Sequence, residues 1–266
     1  MTQLTETTPL AKELLVFEGS RQINDGDTVI AGTGLPLLAG LLAQRTHAPR
    51  ARLVIESGVI FPTVRPTPLS VVDPRIMHRP SRLGSLVEAL GGFVQRGLVQ
   101  TGFLGGAQVD ECANINSTWV DRSGGRVRLP GSGGANDIAS HCSKIVVLTH
   151  HERRRFPRRC DYVTSPGFLD GPGGRERVGL GPLTVKVVTD LCVMEGDDRS
   201  GRLMVTELMP GSTVDQVLDN TGFTPSLADE LREVQLPDPV HLRLLRETLD
   251  PQARYFAERR ENTKES

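Results

Sequence analysis

The sequence predicts an α/β protein built on an open, mostly parallel sheet flanked by helices. Three observations carry this expectation. Thr28-Val29-Ile30-Ala31 and Arg52-Leu53-Val54-Ile55 are short apolar runs with β-branched residues, which suits strands buried on both faces of a sheet. Between them, Gly32-Thr33-Gly34 leads into a very apolar helical stretch, Leu35 to Arg45. Strand, glycine turn, helix and strand in that order is the signature of an α/β sheet.

The remaining elements follow along the chain. Thr8-Pro9 has the form of an N-cap with proline at the first helical position, and Leu10, Leu14, Leu15 and Phe17 continue it as an apolar stripe that Asp25-Gly26 ends. Residues 59 to 81 hold five prolines and read as a long irregular segment, of a length that compact domains keep for function. Ser85 to Arg96 returns to helical spacing through Leu86, Leu90 and Val94, and Leu98 to Val109 is strand-like, interrupted by Gly105-Gly106. A glycine-rich turn at 131 to 134 feeds a helix expected from about Asp137 to Cys142, and Lys144 to Thr149 is a buried strand. Val185 to Val188 and Leu203 to Leu208 are expected to form a late antiparallel pair around Gly196 to Gly201. Helices near Val214 to Leu218 and Pro239 to Leu249 close the fold. No repeat, linker or low-complexity segment breaks the chain. The expectation is one domain over residues 1–266, with a core from about 10 to 251 and flexible ends at 1–8 and 258–266.

Composition narrows the function. At 266 residues, with 38% hydrophobic and 24% charged side chains, the chain has the make-up of a soluble globular protein. A net charge of -1 and only 4% aromatic residues argue against a nucleic-acid partner, which calls for a basic surplus and stacking surfaces. No apolar run approaches the roughly 20 residues of a membrane span, and Met1 to Pro9 lacks the form of a signal peptide, so a cytoplasmic protein with no membrane partner is expected. Cys112, Cys142, Cys160 and Cys192 are widely spaced and read as free thiols. No metal is expected: His150 and His151 are adjacent and face apart on a strand, and the other histidines are scattered.

Glu56 ends the second strand, where open α/β sheets bind ligands, and Ser57-Gly58 turns the backbone away from it. It is either a nucleophile or an acid that marks the chain's arrival at solvent. Gly131-Ser132-Gly133-Gly134-Ala135, ahead of a helix, is either a cradle of backbone N–H groups for an oxyanion or a turn that needs positive φ. Gly32-Thr33-Gly34 lacks the third small residue of a dinucleotide fingerprint, because Leu37 stands in its place; a turn offering N–H groups to some anion is the preferred reading. Asp110 to Asn116 reads as local Asx turns, with Asn114 or Asn116 as possible supports of a site. The arginines from Arg153 to Arg159 form either a phosphate grip or a solvated, subunit-facing surface, the latter being favoured. A carboxylate beside an amide cradle, with no Ser–His–Asp set, suggests covalent catalysis by the carboxylate.

Several blocks stand together in order: Ile55-Glu56-Ser57-Gly58, Gly105 to Asp110, Asn114 to Thr118, Gly131 to Asn136, Asp161 to Gly167 and Asp170 to Arg177. With Gly32 to Pro36 and Asn220 to Phe223, they make the chain closely resemble the B (β) subunits of the glutaconate CoA-transferase family, which belongs to the class I CoA-transferases. The resemblance runs from about Asp25 to Pro251 and departs from the family pattern at Ala113, where a glycine is expected. It implies a CoA-transferase β-subunit fold of the NagB/RpiA type. It also implies Glu56 as the catalytic nucleophile, and Gly133 and Gly134, with Ser132, Ala135 and Asn136, as the oxyanion and CoA-binding turn. Ser57, Gly58 and Asn116 would support them. Acyl-CoA and a carboxylic acid would be substrates, no cofactor or metal would be bound permanently, and an α subunit would complete the enzyme. The proline-rich segment from Val59 to Pro80 is a candidate for facing that partner. Two alternatives remain: an acyl-CoA hydrolase or decarboxylase on the same fold, or a non-catalytic effector-binding domain.

Overall fold

The structure, a computed structural model, describes residues 10–64, 68, 70 and 73–256. In chain order it runs α1 (Ala11–Arg21), β1 (Thr28–Ile30), α2 (Leu35–Arg45), β2 (Arg52–Ile55), β3 (Val59–Ile60), β4 (Arg82–Leu83) and β5 (Thr101–Leu104). Two small hairpins follow, β6 (Gln108–Val109) with β7 (Ile115–Asn116) and β8 (Trp119–Arg122) with β9 (Gly125–Arg128). Then come α3 (Ala135–His141), β10 (Lys144–Leu148), α4 (Gly174–Arg177), β11 (Thr184–Val188), β12 (Cys192–Asp197) and β13 (Met204–Leu208). The described chain closes with α5 (Val214–Asp219), β14 (Ser226–Glu233) and α6 (Pro239–Arg243), which continues helically to Leu249.

Ten strands form one sheet in the order β14-β13-β12-β11-β10-β5-β1-β2-β3-β4. Its centre, β11-β10-β5-β1-β2, is wholly parallel, and the antiparallel pairs lie toward the edges. Strand alternation divides the core in two, because successive side chains point to opposite faces. Val29, Leu53, Ile55, Phe103 and Val146 pack on one face against Leu38 and Leu42 of α2 and Leu245 of the C-terminal helix. Ile30, Val54, Leu104, Ile145 and Val147 pack on the other against Ile138 of α3 and Leu90 of the helical segment Glu88–Val94. Each fully buried aliphatic side chain stabilises the fold by about 1.5–3 kcal/mol, which is why apolar runs on both faces settle in the middle of the sheet. Helix α3 packs closely on β5 because Gly102 has no side chain: a Cβ there would lie 2.3 Å from Ile138 Cγ2.

The late strands correct one expectation. Val185–Val188 and Met204–Leu208 are not partners; β12 lies between β11 and β13 and pairs antiparallel with both. Two strands joined by a hairpin need adjacent apolar runs, and Cys192-Val193-Met194 supplies the missing one. The segment from 59 to 81 is less irregular than its prolines suggest, since Val59–Ile60 returns as β3 and Pro74–Met77 forms a turn of 3₁₀ helix capped by Asp73. Residues 65–67, 69, 71 and 72 of that segment, the Thr8-Pro9 cap and the tail from Glu258 lie outside the described residues. Helix α1 starts after Leu10, whose N–H is held by Glu13 Oε2 at 2.7 Å. Helix α3 begins at Ala135, two residues earlier than expected. Among the described residues no helix is long and apolar enough to cross a membrane.

Candidate active site

Glu56 lies in a tight connection of the sheet. Gly58 N–H donates to Ile55 O at 2.9 Å, and Ile55 pairs with Val59 across the β2–β3 hairpin. Glu56, Ser57 and Gly58 are therefore the whole of a three-residue loop. Gly58 has φ +99, and a Cβ on it would sit 2.6 Å from Gly84 O, so the loop's last position admits only glycine. Gly84 N–H in turn donates to Gly58 O at 2.8 Å, which presses the chain after β4 over the loop. Val54 belongs to the face of α3 and Ile55 to the face of α2. Continued alternation sends Glu56 back toward α3, and the glycine turn waits there.

That turn is fastened by its neighbours. Gly131 has φ +100; its N–H donates to Ser117 O at 2.8 Å, and Ser117 Oγ donates to Gly131 O at 2.8 Å. Gly133 has φ +49, as the turn reading of the glycine run requires. A Cβ built on Gly133 would lie 3.9 Å from Glu56 Oε1. One built on Gly134 would lie 3.1 Å from Glu56 Oε2 and 2.9 Å from Leu90 Cδ2. Chain segments almost eighty residues apart thus meet at a carboxylate and two bare peptides.

Accounting for the amides separates the turn's members. Ala135 N–H donates to Ser132 O at 2.9 Å, and Asn136 N–H to Ser132 Oγ at 3.1 Å. These amides, and Ser132's own oxygens, are engaged in starting α3. The N–H groups of Gly133 and Gly134 have no intramolecular acceptor among the described residues, as the first amides of a helix do not. Asn136 turns its side chain inward and donates from Nδ2 to Thr164 O at 3.0 Å. Asn116, fully buried, donates to Gln108 Oε1 and Trp119 O, both at 2.7 Å, and accepts from Thr118 N–H at 3.0 Å. Its role is to shape the 117–118 segment that clasps Gly131. Ser57 Oγ is buried and has no hydrogen-bond partner among the described residues.

Behind the turn, Asp110 and Asn114 form the Asx turns that their spacing suggests. Asp110 Oδ1 accepts from the N–H groups of Cys112 and Asn114, both at 3.0 Å, and Asn114 Oδ1 accepts from Gly167 and Leu169. Burial pushes the Asp110 carboxyl above its usual range, against those hydrogen bonds, which lower it. Arg175 is a residue whose role no sequence signal announced. Its buried guanidinium donates to Ala139 O and Ser140 O at the end of α3, to Pro166 O and Gly167 O, and to Gly181 O. Leu90, Gly84 and Ser117 were likewise missed, since their importance comes from contacts distant in the chain.

His150 and His151 do face apart. His150 pairs with Asp190 at 3.1 Å, while His151 is buried, stacked on Phe156 and held by Thr189 and Thr221. Gly34 has φ +101 and starts α2, with Leu37 buried where a dinucleotide fold would need a small residue. No group of three or more His, Cys, Asp or Glu side chains suited to a metal occurs among the described residues.

Residues 18–220 match the family model described as Coenzyme A transferase. The chain belongs to the coenzyme A transferase family. This transferase chain is 39% identical over 249 residues to the B subunit of glutaconate CoA-transferase from Acidaminococcus fermentans, covering 90% of this chain and 92% of that protein. It is 35% identical over 236 residues to the B subunit of 3-oxoadipate CoA-transferase from Pseudomonas knackmussii, with 88% and 91% covered. The crystal structure of glutaconate coenzyme A-transferase from Acidaminococcus fermentans superposes with a TM-score of 0.87 at 37% identity, covering 95% of this chain and 99% of that one. The transferase fold accounts for the mostly parallel sheet with helices on both faces and for its length.

Proposed function

We propose that this chain is the β subunit of a heteromeric class I CoA-transferase in which Glu56 is the nucleophile. The observation that carries the proposal is the Glu56 carboxylate, held on a three-residue loop beside Gly133 and Gly134, whose N–H groups have no acceptor among the described residues. Glu56 attacks the thioester carbonyl of an acyl-CoA, and the C–S bond breaks to give an acyl-glutamyl anhydride and CoA thiolate. The thiolate then attacks the glutamyl carbonyl, the first acid leaves as its carboxylate, and a glutamyl-CoA thioester remains. A second carboxylate reverses both steps and departs as the new acyl-CoA. Keeping the acyl energy in a covalent intermediate is what favours a carboxylate nucleophile, and ping-pong kinetics are its fingerprint.

Each addition gathers negative charge on one oxygen, and the unclaimed N–H groups of Gly133 and Gly134 support reading them as the donors that receive it, each such donor being worth about 10²–10³ in rate. Ser132, Ala135 and Asn136 hold the turn in that shape. Gly58 and Ser57 hold the loop, and Asn116 supports the clasp at Gly131. The two transferase relatives, both B subunits, support an α chain as partner, and their substrates support short dicarboxylic acids as the acyl groups.

The experiment is to co-express the chain with an α subunit and assay transfer from acyl-CoA to acid. Glu56→Ala is expected to abolish transfer, and Glu56→Asp to retain little of it, because the shorter arm misplaces the carboxylate. Borohydride or hydroxylamine added with acyl-CoA is expected to modify Glu56 in the wild type alone. Transfer at near wild-type rate in Glu56→Ala would sink the mechanism.

A further inference from the structure

The arginines that follow β10 have no part in the chemistry above. Arg154 and Arg155 line a cleft of about 550 Å³ together with Arg122 at the end of β8. Two carboxylates also line it, Asp121 and Asp161, of which Asp161 is held by short hydrogen bonds and Asp121 only by a long contact. Asp161 Oδ2 accepts from Gln108 Nε2 at 3.0 Å and from Asp121 N–H at 2.9 Å, and Asp121 Oδ1 is 3.5 Å from Arg126 Nε. The cations are served less well. Arg154 pairs with Glu152. Arg155 Nε is buried without a hydrogen-bond partner among the described residues, and its contacts to Gly106 O and Glu152 are long, at 3.5 and 3.6 Å. The Arg122 side chain makes no hydrogen bond or ion pair among the described residues. The cleft therefore offers the Arg122 guanidinium and the Nε of Arg155, neither hydrogen-bonded among the described residues, beside an apolar wall of Val120 and Leu129.

Its place in the fold gives it meaning. Parallel strands end on one edge of the sheet, and β5, whose outgoing chain leads to Ala107 and Gln108 of the cleft, is two places from the strand of Glu56. Arg154 and Arg155 follow β10, three places away. The cleft therefore lies among the connections that leave the same edge of the parallel centre as the β2–β3 loop of Glu56. Leu129, in its wall, is two residues from the Gly131 clasp.

We propose that this cleft is an anion subsite, in which Arg122 and Arg155 grip the charged far end of the substrate while its reacting carbonyl lies at Glu56. The assignment rests on the transferase reading above. The shared chemistry is an oxyanion pair received by guanidinium groups, and it has two sources: the distal carboxylate of a dicarboxylic acyl group, or a phosphate of CoA.

Binding to the co-expressed complex, measured by titration calorimetry with three probes, separates these sources. The probes are glutarate, butyrate and adenosine 3′,5′-bisphosphate; the proteins are the wild type, Arg122→Ala and Arg155→Gln, each in a Glu56→Ala background so that no chemistry intervenes. Loss of about tenfold or more in glutarate affinity, with butyrate and the bisphosphate unchanged, supports a carboxylate subsite. The same loss confined to the bisphosphate supports a phosphate subsite. Unchanged binding of both anions in both variants overturns the proposal, as does failure of the wild-type background to bind either anion, or an equal loss for butyrate. Because Glu56 chemistry is scored separately by transfer and trapping, failure of the subsite and failure of the mechanism give different results.

Discussion

Gly134→Ala probes the spacing on which the site depends. Gly134 has φ -80, so alanine meets no backbone strain there. The obstacle is the methyl group, 2.9 and 3.0 Å from the two Cδ atoms of Leu90 and 3.1 Å from Glu56 Oε2. Carbon contacts prefer about 3.5–4.0 Å, so Leu90 and the carboxylate must each retreat by about half an ångström. Overpacking of this kind costs about 1–3 kcal/mol, which lowers Tm by about 3–9 °C for a chain of this size. Misplacing a reacting group by 1 Å can cost about 10² in rate, so kcat should fall by about 10- to 100-fold with KM little changed. Thermal unfolding and steady-state transfer, with the α subunit present, measure the two effects. Gly133→Ala is the control: its methyl group would lie 3.9 Å from Glu56 Oε1, an ordinary contact, but φ +49 makes it strained. It should therefore lose about 1–2 kcal/mol of stability and much less activity than Gly134→Ala. Wild-type kcat and Tm in Gly134→Ala would refute the contact between the glycine turn and Glu56.

Two further predictions concern buried groups. Burial lowers the pKa of His151 to about 4, with Asp190 pulling weakly the other way. The unfolded chain, with an ordinary histidine near 6.5, binds the proton first, so the stability from a neutral His151 is full above about pH 6.5 and is lost as pH falls toward 4. The loss is about 3 kcal/mol, and urea unfolding between pH 7 and pH 4.5 should show it in the wild type and not in His151→Gln. All four thiols are buried and raised by desolvation, Cys112 to about 11 and Cys142 and Cys192 to about 12, with Cys160 also pushed up. A thiol reagent at pH 8 should label fewer than one cysteine in the folded chain and four in denaturant.

Much of the sheet was legible because its centre is written in contiguous residues. Val54-Ile55 and Lys144 to Leu148 are apolar on both faces, and Gly32-Thr33-Gly34 announces the helix after β1. The edges were harder. β14 carries Ser226-Leu227-Ala228-Asp229-Glu230-Leu231-Arg232-Glu233, largely exposed and lacking clean alternation, and its register against β13 shifts midway. An edge strand with little to bury leaves a weak pattern. At the site, Glu56 and the glycine run could be picked out from type and position, but Leu90, Gly84 and Ser117 could not, because an apolar residue, a loop glycine and a serine look alike wherever they fall. Arg175 is the clearest case: arginine is expected at the surface, and only tertiary structure shows five carbonyls waiting for it. Ala113 shows the opposite, a departure from the family pattern whose local effect could be anticipated, since it holds φ +59 in a position that glycine would occupy without strain.

The β2–β3 connection also limits how this chain can change in length. One residue added or removed between Leu53 and Glu56 slips the pairing and turns every following side chain to the opposite face of the sheet. Position 56 would then point toward Leu38 and Leu42, into an oily layer. Insertions and deletions should therefore be barred from Leu53 through Ile60, while the polar hairpin tip at Ser123 and Gly124, exposed between β8 and β9, has room to lengthen.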